Sequence, residues 1–212
     1  MAHDAPQYTL DVSTLPDNAM DARAPLWWGN LLLVCIETTT IVILLVVYFY
    51  VRRNFGQWPP PRVDRGPALF DQAPSLWAAT ANAVLLAVSA LPMYWADTRA
   101  RALDTRRTAA GLALMTAVAA ASIVLTALEM RALDFRWDEN AYGSVVWTIA
   151  VMFMIYLIAG IIEFGLMLVW VLRHGLDDKH ALDVTLAGGY WYWVAATGVV
   201  IYAVVFLYPR MT

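Results

Sequence analysis

Residues 145–172, VVWTIAVMFMIYLIAGIIEFGLMLVWVL, set the fold class of this chain, and Glu163 is their only charged side chain. A helix rises about 1.5 Å per residue, so this stretch would form a helix about 42 Å long. Because the hydrocarbon core of a bilayer is about 30 Å thick, such a helix can cross it with a tilt or a protruding end. The polar, aromatic residues 134–144, DFRWDENAYGS, precede it and predict a loop at one membrane surface.

The composition of the whole chain agrees with this assignment. Hydrophobic residues make up 61% of the 212 residues and charged residues 15%, and the mean hydropathy is +0.58. A soluble domain of this size is less apolar, so we predict a polytopic helical membrane protein. The net charge of -3 gives no sign of a nucleic-acid partner. Cys35 is the only cysteine, which excludes an internal disulfide and a cysteine metal cluster.

The apolar runs predict an all-α fold, a bundle of five transmembrane helices. The helices are predicted at about residues 27–51, 73–95, 108–130, 143–172 and 187–208. Residues 1–26 are polar and contain three prolines, so we expect a mobile tail before a single transmembrane domain at 27–212. Five spans place the two termini on opposite sides. The loops and tail on each side carry seven Lys and Arg residues, so the positive-inside rule gives no orientation.

Three acidic residues are candidate functional groups. Glu37 and Glu163 lie inside predicted spans, where an ionised carboxylate is costly, and Glu129 lies near the end of the third span. We expect Glu37 to be protonated, paired or turned into the bundle. Two roles stay open for it: a proton-accessible or lipid-contacting group, or a neutral acid hydrogen-bonded to a neighbouring helix. Asn82, in the second span, predicts a hydrogen bond across the bundle.

Small and aromatic residues predict how the helices pack. The alanines of the third span recur every four residues, which favours a close helix contact on that face; they are Ala109, Ala113, Ala117 and Ala121. The Ala159–Gly160 step predicts a second close contact. The aromatic residues 190–193, with Tyr208 at the other end of the last helix, predict aromatic belts at the two membrane interfaces.

The sequence contains no candidate for catalysis or for binding a metal or cofactor. His3, His174 and His180 all lie in the predicted tail or in a loop, whereas haem or copper between helices normally has ligands projecting inward from the spans. Phosphate-binding glycine loops, HExxH pairs and nucleophile elbows are also missing from the sequence. We therefore expect a chain that does not act as an enzyme alone.

Several short motifs are similar to those of one family, subunit III of the haem-copper oxidases. Asn140–Val145, NAYGSV, looks like the start of that family's penultimate helix. Tyr190 and Trp191 resemble the first residues of its final-helix YWHFVD motif. The positions that carry the resemblance are Trp58, Pro59, Pro60, Asn140, Tyr142, Gly143, Ser144, Tyr190 and Trp191.

The acidic residues and the loops fall in the same order as in the family. Cys35–Glu37 lies where the family has a Ser–Glu step, and Trp58–Pro60 matches the loop that follows. Glu129 falls where the family has a glutamate before its penultimate helix. Five helices match the shorter members, which lack the first two helices of the seven-helix form.

Two family motifs are altered in this chain. The family's HGxH is Phe153–Tyr156, FMIY, in this sequence. The His and Asp of YWHFVD are replaced by Tyr192 and Ala195. The polar contacts that these residues make in the family are therefore not expected here.

The resemblance implies a non-catalytic subunit in the bacterial inner membrane, with a cytoplasmic N-terminus and a periplasmic C-terminus. Its partners would be the catalytic subunit I, which would carry haem and copper, and other respiratory subunits. It would hold phospholipid in a cleft between helices 1–2 and helices 3–5, and would support proton uptake. Two alternatives stay open: an accessory subunit of a quinol oxidase or nitric oxide reductase, and a free-standing proton or small-solute transporter using Glu37 and Glu163.

Overall fold

The predicted all-α fold is confirmed by the computed structural model, which describes residues 25–60, 75–133 and 135–211. Within these residues there is no β-strand, and five helices are long and apolar enough to cross a membrane. They are α1 (Pro25–Arg52), α2 (Leu76–Arg101), α3 (Thr105–Arg131), α4 (Ala141–His174) and α5 (Asp178–Ile201). After α5 the same rod continues as a π-helical segment, Tyr202–Leu207, and a 3-10 turn, Tyr208–Arg210. The chain is thus a multi-pass membrane protein.

Two helices extend well beyond their predicted ends. α5 begins at Asp178 rather than at residue 187, because the side chain of Asp177 accepts the backbone N–H of His180 at 2.8 Å and caps the helix. α2 continues past residue 95 to Arg101, whose side chain pairs with Asp97 one turn earlier. The predicted tail at 1–26 and the predicted start of the second helix at residue 73 lie largely outside the described residues.

The longer α5 changes the depth of its aromatic residues. Residues 190–193 begin about 18 Å from the Asp178 end, close to the middle of the span Asp178–Arg210. The prediction that they form an aromatic belt at a membrane interface is therefore wrong. Tyr190 and Trp191 are buried among the helices instead, whereas Tyr192 is exposed and Trp193 is partly exposed.

Helices α2, α3, α4 and α5 form a ring of four, each packed against two of the others, and α1 lies outside on α4 and α5. Only 11% of the most apolar stretch of α1 is buried, against 39–50% in the other helices. The expected division of the bundle into helices 1–2 and helices 3–5, with a cleft between them, is therefore wrong. α2 belongs to the ring because a row of small residues lets it approach α3 and α5 closely; they are Ala78, Ala79, Ala83, Ala96 and Ala100.

α2 and α3 approach each other closely. A Cβ added to Gly111 would lie 2.6 Å from the Cβ of Ala96, so only glycine fits there. This contact uses a different face of α3 from the one predicted, since Ala113, Ala117 and Ala121 are exposed. The predicted alanine contact is therefore wrong for these three residues, and Ala109 is the member of that row that is buried. The prediction for Gly160 is confirmed, because a Cβ there would lie 3.3 Å from the ring of Trp191.

Candidate functional site

Glu37 meets α4 and α5 near the middle of the membrane. The hydroxyl of Tyr190 lies 3.3 Å from Oε1 of Glu37 and 3.4 Å from the carbonyl oxygen of Tyr156, so it can donate to either. The hydroxyl of Tyr156 in turn donates to the carbonyl oxygen of Glu37 at 3.4 Å. Oε2 of Glu37 is buried and has no hydrogen-bond partner among the described residues. The carboxyl group therefore contacts the phenol of Tyr190, the backbone of Glu37 accepts from Tyr156, and Oε2 is left as a buried oxygen that can carry a proton.

Further polar contacts hold α1 against α5 on either side of Glu37. The indole N–H of Trp193 donates to Oγ1 of Thr38 at 2.8 Å, and its ring packs edge to face with Tyr156 at 5.2 Å. About two turns earlier, the amide of Asn30 donates to the carbonyl oxygen of Leu186 at 3.0 Å. Because α1 buries little apolar surface, these hydrogen bonds determine its register on α5.

Glu129 belongs to a second, separate polar network between α2 and α3. Asn82 donates to Oε1 of Glu129 and to Oγ1 of Thr126, both at 2.9 Å, and accepts from the hydroxyl of Ser122 at 2.7 Å. This confirms the hydrogen bond predicted for Asn82. Thr126 and Glu129 also line a cavity of about 20 Å³, which has room for one water molecule. The carboxyl group thus lies at the edge of a small cavity whose lining, apart from Thr126 and Glu129, is apolar.

Glu163 joins neither network. Its side chain is half-buried on α4 and makes no hydrogen bond to any residue that the structure describes. It lies close enough to Asp183 and Tyr190 on α5 to interact with them electrostatically. The structure therefore places two candidate acids, Glu37 and Glu163, around Tyr190, and leaves Glu129 elsewhere.

Most of the remaining resemblance positions assemble at the end of the bundle where α1 ends and α4 begins. The ring of Trp58 packs edge to face with Tyr142 at 4.8 Å and with Tyr48 at 5.1 Å. Its indole N–H donates to the hydroxyl of Tyr48 at 3.2 Å, and Phe135 packs against Tyr142 at 5.1 Å. We call Tyr48, Trp58, Phe135 and Tyr142 the aromatic cluster. Pro59, next to Trp58, is buried beside it.

The other positions of that motif shape the start of α4. Asn140 caps the helix, since its side-chain oxygen accepts the backbone N–H of Gly143 at 2.8 Å. A Cβ on Gly143 would lie 2.5 Å from the carbonyl oxygen of Arg136, so glycine is required where the loop folds back. The hydroxyl of Ser144 donates to the carbonyl oxygen of Trp137 at 2.6 Å. These contacts fix the loop on the first turn of α4. In the other loop, after α1, Pro60 is buried like Pro59.

Trp191 is a packing residue at the centre of the ring. It is fully buried, donates its indole N–H to Oγ of Ser89 at 2.8 Å, and packs edge to face with Phe164 at 5.4 Å. Neighbouring Tyr190 points to Glu37 instead. Ser89, the partner of Trp191, was not singled out in the sequence, because no local pattern distinguishes it from other residues of its helix. Tyr156, which lies at the last position of the altered HGxH motif, was not expected to make polar contacts, yet its carbonyl oxygen can accept from Tyr190 and its hydroxyl donates to Glu37.

Two of the histidines lie further inside the helices than predicted. His174 is the last residue of α4 and His180 is in the first turn of α5, so their assignment to a loop is wrong. Trp170 stacks on both imidazole rings, with centroid distances of 4.3 Å to His174 and 4.7 Å to His180. In the described parts of the chain, no three His, Cys, Asp or Glu side chains are grouped so that they could hold a metal ion.

No protein-family model matches this chain, and no curated protein matches it. Its function is therefore argued from the arrangement of its own residues and from the motif resemblance.

Proposed function

We propose that the chain is a non-catalytic subunit III of a bacterial respiratory haem-copper oxidase, in the inner membrane with its N-terminus in the cytoplasm. The contact that carries the proposal is Glu37 with Tyr190. It joins the acid that falls at the family's Ser–Glu step to the tyrosine of its final-helix motif, although the two residues are 153 positions apart. Two motifs that are far apart in the sequence but in contact in the fold belong to one structural unit, as the resemblance implies.

The loop motifs support the same proposal. Trp58 and Tyr142 match two separate strings of the family and lie in the same aromatic cluster. The cluster ties the loop after α1 to the start of α4, which is the kind of joint that maintains a bundle of fixed shape beside a larger subunit. This role does not need a reactive group in the cluster.

In this role the chain would stabilise the catalytic subunit, hold phospholipid and support proton uptake, while haem and copper would belong to partner subunits. The outer surface of the bundle suits a partner within the membrane, because α1 exposes an apolar face along most of its length. Glu37 is the acid best placed to carry a proton, since one of its carboxyl oxygens is buried and has no hydrogen bond among the described residues.

Two other functions compete with this one. An accessory subunit of a quinol oxidase or a nitric oxide reductase would use the same bundle, and only its partners would differ. A proton or small-solute transporter would use Glu37 and Glu163 on either side of Tyr190. Transporters commonly contain internal repeats with interrupted helices at the midplane, and in the described residues the helical rods pass through their middle turns without a break. We therefore rank transport last.

Purification in a mild detergent, followed by mass identification of the copurifying subunits, tests the proposal. We expect a catalytic subunit with haem and copper to copurify. After the subunits are separated, the Soret absorbance should remain with that subunit and be absent from this chain. A quinol oxidase or nitric oxide reductase subunit in its place would favour the first alternative. A chain that purifies alone, without any respiratory subunit, would contradict the proposal.

A further inference from the structure

A pocket of about 280 Å³ lies between the end of α4 and the start of α5, apart from the sites described above. Four apolar or aromatic residues of α4 and two polar residues of α5 line it; they are Leu166, Met167, Trp170, Val171, His180 and Asp183. The volume suits a headgroup of a few heavy atoms rather than a single water molecule.

The polar groups of this pocket have unused hydrogen-bonding capacity. The carboxylate of Asp183 and the indole N–H of Trp170 make no hydrogen bond to any residue in the described parts of the chain. His180 uses Nδ1 for its contact with Asp177, which leaves Nε2 for a ligand. The ring of Trp170 stacks on His180 and His174, so the indole is held at the pocket wall. A pocket with three such groups is suited to a polar ligand.

The polarity of the pocket changes with depth in the membrane. His180 and Asp183 lie within about 8 Å of the start of α5, the end of the helix that meets the membrane surface. Leu166 and Met167 lie about 10–12 Å from the end of α4, at the depth of acyl chains. A ligand that fits this gradient has a polar head and an apolar tail, as a phospholipid entering from the bilayer does.

The charges around the pocket select the type of headgroup. Asp183 is the carboxylate in its lining, and Glu163 lies near Asp183 on the deeper side. Lys179 and His180 lie on the shallow side, close enough to Asp183 to interact electrostatically. A headgroup with an ammonium and a phosphate matches this arrangement, whereas an anionic headgroup without an amine would place its charge against Asp183.

We propose that this pocket binds the headgroup of an aminophospholipid, phosphatidylethanolamine. Its primary ammonium donates to the carboxylate of Asp183, and its phosphate faces Nε2 of His180 and the ammonium of Lys179. An acyl chain follows Leu166 and Met167. This site does not depend on the proposed oxidase function, since every group in it belongs to the chain itself.

Native mass spectrometry of the full purified chain tests the proposal. After delipidation, the chain is offered phosphatidylethanolamine, phosphatidylglycerol or phosphatidylcholine at equal concentration. We expect about tenfold tighter binding of phosphatidylethanolamine than of phosphatidylglycerol, the ratio that one charge-assisted hydrogen bond can supply. Equal binding of the three lipids, or no binding, would overturn the proposal.

Variants locate the site. Asp183→Asn should abolish the preference for the amine, and Asp183→Glu should keep it. Asp178→Asn is the matched control, because it removes the same charge from an exposed position in the first turn of the same helix, outside the pocket lining, and should change nothing. If Asp183→Asn fails to fold, Leu166→Trp decides, since a larger side chain should fill the acyl end and lower lipid retention. Unchanged binding in the folded Asp183→Asn protein, or in Leu166→Trp, would refute the site.

Discussion

Replacing Glu37 separates its chemical role from its structural role. Glu37→Gln keeps the shape of the side chain and can still accept the hydrogen bond from Tyr190, but it cannot release a proton. Glu37→Ala removes the hydrogen bond and part of the packing between α1 and α5. Tyr190→Phe removes the same hydrogen bond from the other side. Each Glu37 variant, alone and combined with Tyr190→Phe, isolates the contact.

The expected magnitudes follow from the geometry. Hydrogen bonds between membrane helices average about 0.6 kcal/mol in double-mutant cycles, and the 3.3 Å separation of these oxygens is at the long end of the range. We therefore expect Glu37→Gln to change the free energy of unfolding by less than about 0.6 kcal/mol. Glu37→Ala should cost about 1–2 kcal/mol, because it also leaves a gap beside Tyr156 and Tyr190. The Glu37→Ala and Tyr190→Phe pair should show a coupling of about 0.6 kcal/mol.

Two measurements check this prediction. Unfolding of the purified chain in mixed micelles of mild and denaturing detergent gives the free energies and the coupling. Turnover and bound lipid in the assembled complex give the functional effect, and Glu37→Gln should preserve assembly while lowering one or both. Glu163→Gln is the control for the unfolding measurement, since Glu163 makes no hydrogen bond to a described residue and lies beside the same tyrosine.

The outcomes that refute the reasoning differ for its two parts. A coupling energy indistinguishable from zero would show that the Tyr190 contact does not hold α1 in place. Wild-type turnover and lipid content in the Glu37→Gln complex would make Glu37 a structural acid. Wild-type function of Glu37→Gln would leave the packing role of the Tyr190 contact untouched. A coupling energy of zero would leave the proton-carrying role of Glu37 untouched.

Three further predictions concern the bundle itself. Asn82→Ala should destabilise the chain by about 2 kcal/mol, because three interhelical hydrogen bonds of about 0.6 kcal/mol each are lost; detergent unfolding within 0.5 kcal/mol of wild type would contradict this. Gly198→Ala should cost about 1–3 kcal/mol of the free energy of unfolding by overpacking, since its Cβ would lie 2.5 Å from a neighbouring side-chain carbon. Gly165→Ala, with open space around it, is the control and should be neutral or stabilising. Equal unfolding midpoints for the two variants would refute the contact at Gly198. The pKa of Asp177 is lowered because its carboxylate accepts the backbone N–H of His180, so the cap is present above the usual carboxyl range and is lost only as the pH falls through the lowered value. The amide NMR signal of His180 should show a transition below about pH 4 that is absent from Asp177→Asn, and the same acidic transition in Asp177→Asn would contradict the assignment.

The sequence was sufficient for the five spans, because an apolar run longer than the hydrocarbon core has few alternatives to a transmembrane helix. Residues 145–172 alone exceed that length, and the helix containing them was placed within two residues at each end. The ends of α2 and α5 were less predictable. They depend on caps and pairs such as Asp177 with His180 and Arg101 with Asp97, which extend a helix into residues too polar to be counted as part of a span.

The partners of the candidate residues depended on how the helices pack. In a lipid environment the apolar faces are all nearly equivalent, so an apolar pattern does not say which helix lies beside which. Small residues and polar contacts decide it, as Gly111 against Ala96 and Asn82 with Glu129 show. The alanine row of α3 looked like such a contact, but Ala113, Ala117 and Ala121 are exposed and Ala109 alone of the row is buried. Glu37 could be identified from its position in an apolar run, but its meeting with Tyr190 requires α1 to lie against α5, which no local pattern encodes.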